Sequence, residues 1–153
     1  RQLWDEAHPG QLTGDQIRER DELFRQQIDH WLDQGIGSCL LSNPNTSAIT
    51  SKAIHFFDGT RYRLEAYVVM PNHVHLMLRP NSGHRLPKIL HSLKSFTSNE
   101  INKLVKRKGS LWQDESYDRI VRSPEEMSHF REYIRKNPQA AKIQIPPNAL
   151  YLR

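Results

Sequence analysis

Two runs rich in β-forming residues, RYRLEAYVVM (61–70) and HVHLMLRP (73–80), are separated only by Pro71-Asn72. Apolar and polar side chains alternate along both, as they do in strands with a buried face. A Pro-Asn step between two such runs makes a tight turn, so the pair predicts an antiparallel β-hairpin. Alternation puts Val74, Leu76 and Leu78 on one face, the natural core face, and His73, His75 and Met77 on the other. Two of those positions are imidazoles.

The flanking sequence reads as helices. Thr13 to Gln34 carries Ile17, Phe24, Ile28, Trp31 and Leu32 near helical spacing and stops at Gly35 and Gly37. A second helix is expected from about Thr46 to Phe57. A third runs from Leu86 to Lys108, with Ile89, Leu90, Leu93, Phe96, Ile101, Leu104 and Val105 on its apolar side and Gly109 as its cap. YDRIVRS (117–123) reads as a short strand. Ser123, Pro124 and Glu126 match a helix start with a capping box, and that last helix should stop at Asn137-Pro138. The Pro-rich tail QIPPNALYLR reads as irregular. With 153 residues, no repeat and no long linker, one domain is expected over the whole chain.

Composition narrows the class. No apolar run approaches the length of a membrane span. RQLWDEAHPG contains no cationic-then-apolar secretory pattern. A single cysteine, Cys39, allows no internal disulfide and reads as a small core filler. These features agree with a cytoplasmic protein. The net charge is +5, and it is unevenly placed: Arg85 to Lys108 holds seven Lys and Arg against one Glu. Such a face suits a phosphate backbone, or else it is a solvated helix surface.

Two imidazoles at i and i+2 of a strand point the same way and can reach one metal ion; the alternative is a pair of surface histidines. The remaining histidines (His8, His30, His55, His84, His91 and His129) read as surface or partly buried positions. In REYIRKNP, Tyr133 and Asn137 lie one helical turn apart on one face. A tyrosine hydroxyl can be a nucleophile and an amide oxygen is a hard ligand, although Tyr133 could be core and Asn137 a helix stop. Two neutral imidazoles and an amide oxygen suit Mg²⁺ or Mn²⁺ better than structural zinc.

The motifs MPNHVHLMLRP, LWQDESYDRIVRSPEE and HFREYIRKNPQAAKI, in that order around a basic helix, resemble those of the REP-associated tyrosine transposases. These are single-tyrosine HUH endonucleases, named for the His-hydrophobe-His motif, here His73-Val74-His75. The resemblance covers roughly residues 36–143. It implies an α+β fold, a ferredoxin-like (RRM-like) antiparallel sheet flanked by helices. It implies that His73 and His75 bind Mg²⁺ or Mn²⁺, that Asn137 is a further ligand and that Tyr133 is the nucleophile. Trp112-Gln113 matches a family signature, read as structural and as a candidate DNA contact. The family opens with a short strand before its first long helix, and RQLWDEAHPG does not supply it: either the strand lies upstream of Arg1 or the sheet has lost an element, and a lost strand would expose an edge.

The activity so implied is transesterification of single-stranded DNA through a 5′-phosphotyrosine, on palindromic repeats that fold as hairpins, in a nucleoid-associated protein. Arg79, Arg85, Lys88 and Lys94 are the expected DNA-binding cations. The oligomeric state stays open, with a monomer favoured. Two other readings compete: a domesticated nucleic-acid-binding module without catalysis, and a metal-dependent hydrolase that does not need Tyr133.

Overall fold

The computed structural model describes Gly10, residues 13–35 and residues 37–153. The opening segment, with His8, lies outside the described residues. The chain divides into two compact units at residues 36–37.

The first unit contains one described helix, α1 (Gly14–Asp33). Its start is a reciprocal cap: Thr13 Oγ1 accepts from the Gln16 N–H (3.3 Å) while Gln16 Oε1 accepts from the Thr13 N–H (2.9 Å). Ile28 is its buried residue, whereas Ile17, Leu23 and Trp31 of the expected apolar side or next to it stay exposed.

The second unit is α+β, with a three-stranded antiparallel sheet flanked by helices, consistent with a ferredoxin-like arrangement. Its elements are α2 (Pro44–Phe56), β1 (Tyr62–Val69), β2 (Val74–Pro80), α3 (Leu86–Val105), α4 (Pro124–Ala140) and β3 (Leu150–Leu152). The strand order is β2-β1-β3. Among the described residues no strand precedes β1, and the outer edge of β2 has no partner strand.

The expected hairpin is present, with Val69 paired to Val74 and the Met70 N–H bonded to the His73 carbonyl (2.9 Å). Its alternation breaks once. Glu65 is an extra residue between the Leu64–Leu78 and Ala66–Met77 pairs, a β-bulge that moves the following side chains to opposite faces. Tyr62, Leu64, Tyr67 and Val69 therefore share one face. With Ile54, Ile89 and Ile101 they form a core against which Val74, Leu76 and Leu78 pack. Ala66, Val68, Met70 and Met77 share the other face and pack on Ile134 of α4.

Several sequence expectations are corrected. The third helix ends at Val105, not at Gly109, because Lys106 takes a left-handed cap (φ 53°) and its N–H reaches back to Asn102 and Lys103. Phe96 and Leu104, expected on the apolar side, are exposed. Residues 117–122 form no strand: Tyr117 and Ile120 are exposed and the segment pairs with no edge of the sheet. α4 starts at its Ser123 cap as expected, but the Glu126 carboxylate takes the Arg122 N–H (2.8 Å). It also runs through Pro138 to Ala140, with Asn137 and Pro138 both buried. The tail is ordered: a 3₁₀ turn at Pro147–Ala149 leads into β3, which pairs with Ala66 to Val68. Cys39 is only half-buried and sits in the left-handed region (φ 45°).

Candidate active site

His73 is the last residue of the hairpin turn and His75 the second residue of β2, so the start of the strand aims both rings at the face that α4 covers. His73 is buried and His75 is half-buried. Their Nε2 atoms lie 3.1 Å apart, with ring planes at 86°.

Asn72 orients the pair. Its Oδ1 lies 2.8 Å from His73 Nδ1, and an amide oxygen only accepts, so that nitrogen carries the hydrogen. The His73 Nε2 lone pair is then free to accept, and in the neutral pair His75 Nε2 donates to it. Desolvation pulls the His75 pKa down to about 4, so this ring is neutral at physiological pH. Sequence reasoning took Pro71-Asn72 only as a turn. The signal it passed over was an amide side chain directly beside the first histidine.

α4 supplies the other groups. The Tyr133 ring meets His75 edge to face at 5.2 Å between centroids. One turn on, Asn137 is 3% exposed, and its Oδ1 is buried without a hydrogen-bond partner. A buried orphan acceptor costs free energy unless something fills the role of donor or cation. Glu132, beside the tyrosine, is held by Arg135 (2.5 Å) and Lys136 (2.9 Å), so those cations are paired with a carboxylate.

These residues fit a hard divalent ion. Two nitrogens 3.1 Å apart, each about 2.1 Å from one ion, subtend roughly 95°, near the angle between adjacent octahedral positions. The donors are neutral imidazole and amide oxygen. Among the described residues no group of three His, Cys, Asp or Glu side chains could hold a metal, so any third protein ligand here must be of the Asn137 kind.

The DNA-contact candidates lie elsewhere on this unit. Arg79 is the last residue but one of β2, Arg85 caps α3 and Lys88 lies in its first turn; all three are exposed. Lys94 is engaged: its ammonium donates to the carbonyls of Gln113 (2.8 Å), Asp114 (3.2 Å) and Glu115 (3.2 Å), tying the following loop to α3. Trp112 anchors the same loop through its indole N–H, donated to Thr97 Oγ1 (2.8 Å), while Gln113 is exposed.

Residues 40–137, well over half of the chain, match the family model described as transposase IS200-like. The chain belongs to the IS200-like transposase family. The match ends on Asn137, so it contains the histidine pair, the tyrosine and the orphan amide. No curated protein and no solved structure matches the chain significantly. Membership makes it a DNA transposase, and no described helix is long and apolar enough to cross a membrane.

Proposed function

We propose that this IS200-like transposase is a REP-associated HUH enzyme that cuts and rejoins single-stranded DNA through Tyr133, in a reaction dependent on Mg²⁺ or Mn²⁺. The observation that carries this reading is the convergence of His73 Nε2 and His75 Nε2 beside the Tyr133 ring, with the unpartnered Asn137 oxygen one helical turn away. When bound by His73, His75 and Asn137, the ion would supply Lewis-acid polarisation of the scissile phosphate.

The chain's own residues do the rest. Asn72 fixes the His73 ring. Burial keeps His75 uncharged, so it stays a ligand and does not repel the ion. Packing of Ile134 under the sheet holds α4 so that Tyr133 faces His75. The Tyr133 hydroxyl oxygen attacks phosphorus in line and its proton passes to solvent. The phosphorus–3′-oxygen bond breaks and the leaving oxygen takes up a proton. The products are a 5′-phosphotyrosine and a free 3′-hydroxyl. The phosphodiester's energy stays in the new bond, so a second 3′-hydroxyl can reverse the step without ATP. Palindromic hairpin repeats are the proposed natural substrates and a nucleoid-associated cytoplasmic protein the proposed setting; both rest on the family resemblance.

The test is direct. Oligonucleotides bearing hairpins and a 3′ label are incubated with the protein and Mn²⁺ and run on a denaturing gel. A labelled protein adduct is expected. Free cut product without adduct would point to hydrolysis by metal-bound water, and a native-gel shift without cutting would point to a binding module.

A further inference from the structure

Arg63 of β1 and Arg79 of β2 are direct partners across the hairpin. Strand alternation places Arg79 on the face of His75 and Met77, and its cross-strand partner Arg63 shares that face. Like charges directly opposite one another destabilise a sheet, so their pairing calls for a reason. α4 covers only the turn end of this face, through Ile134 against Ala66, Val68, Met70 and Met77. At the open end Arg79 is exposed and half of the Arg63 side chain meets solvent.

Among the described residues the counter-charge paired with this patch is Glu65, the bulge residue. Its largely buried carboxylate holds Arg63 Nε at 2.8 Å. That bond fixes the guanidinium through one nitrogen. Arg79 has no ion pair or side-chain hydrogen bond among the described residues. Two guanidinium forks side by side, one of them pinned, match a phosphate group geometrically.

We infer that Arg63 and Arg79 form a phosphate clamp that guides single-stranded DNA along the open half of the sheet, away from the histidine–tyrosine site. The inference rests on the single-stranded substrate proposed above. Arg79 lies four residue steps along the strand from His75, about 13 Å, which an extended strand spans within a few nucleotides. The Glu65 bulge thus serves two ends: it switches the sheet's core face and it sets one half of the clamp.

The test measures the affinity of the full chain for an oligothymidylate of about 20 nucleotides as salt is raised. Each phosphate neutralised on a single strand contributes roughly 0.7 to the slope of log affinity against log salt. Arg63→Ala/Arg79→Ala should lower that slope by roughly 0.7 to 1.4, so that between about 50 and 200 mM salt the parent loses roughly threefold to sevenfold more affinity than the variant. Arg79→Ala alone, which breaks no ion pair, should give about half of this change. Arg63→Lys/Arg79→Lys should keep the parent's slope. An unchanged slope in both alanine variants overturns the clamp and leaves the substrate reading standing. A slope lowered equally by the lysine variant also overturns it, since charge would then not be the cause. Failure of the parent to bind the strand at all overturns the substrate reading, and the clamp with it.

Discussion

The two faces of the sheet are built from the same two strands and treat polar groups in opposite ways. Beneath α2 and α3, the buried ring hydroxyls and the indole are answered by carbonyls and a hydroxyl, although Ser47 Oγ of α2 is left without a partner. The buried Tyr62 hydroxyl donates to the Ile54 carbonyl (2.5 Å), Tyr67 to Asn148 (3.1 Å) and Trp112 to Thr97. Beneath α4, two imidazoles meet each other, with Asn72 beside the first and Tyr133 beside the second, and the Asn137 oxygen is buried without a hydrogen-bond partner. The first face buries mostly apolar side chains; the second gathers imidazoles and an amide, the kind of polar cluster by which a site gives up stability for function.

The contrast is tested first where its effect is largest. Tyr133→Phe should abolish the DNA adduct outright, whereas Tyr117→Phe should leave it, because Tyr117 lies exposed in the irregular segment before α4. Mass spectrometry of the adduct peptide decides between them; an adduct on Tyr117 would move the nucleophile off the α4 face. Next comes the core face. Ile101 is fully buried, so Ile101→Ala should cost about 2 to 5 kcal/mol in urea unfolding. Asn137→Leu should do the reverse on the site face, raising stability by about 1 kcal/mol through loss of an orphan acceptor while weakening Mn²⁺ binding in calorimetry. A marked loss of stability in that variant would mean that Asn137 is a structural group.

The smallest effect is one of pH. Burial pushes the Tyr62 hydroxyl up to about 12, with Asp58 adding to the rise. A raised pKa means that the folded state holds its proton longer than the unfolded chain, whose tyrosine titrates near 10. The associated stability is complete below about pH 10 and is lost as pH rises through about 12. Tyr62→Phe should flatten unfolding free energy against pH in that window. An unchanged profile would show that the hydroxyl is not held as described.

Much of this division could be read in the sequence, for identifiable reasons. The hairpin, its core set Val74, Leu76 and Leu78, and the Ser123 cap of α4 follow from local patterning, which needs no partner to be legible. What escaped depended on distant contacts. The Glu65 bulge shows only when β1 is paired with β2, since alternation read along β1 alone puts Ala66 and Val68 in the wrong set. β3 is three residues long in a Pro-rich tail, and it forms because β1 offers it an edge. The expected strand at 117–123 is not formed, and the segment pairs with neither edge of the sheet. α4 passes Pro138 because burial of Asn137 and Pro138 outweighs the local cost of proline in a helix. Of the candidate site, His73, His75, Tyr133 and Asn137 are singled out by spacing and resemblance. Asn72 as an orienting group and Lys94 as a loop tie are not, because both roles lie in hydrogen bonds that no periodicity encodes.

On the function proposed above, a divalent ion completes the α4 face. Thermal unfolding of the parent with and without Mn²⁺ measures this most directly, since an ion that binds only the folded state stabilises it by about 2.7 kcal/mol at a hundredfold excess over Kd. For a chain of this size the midpoint should rise by roughly 5 to 11 °C. In His73→Ala/His75→Ala the same titration should leave the midpoint where it was. An unshifted parent, or a variant that shifts as much as the parent, would contradict the claim.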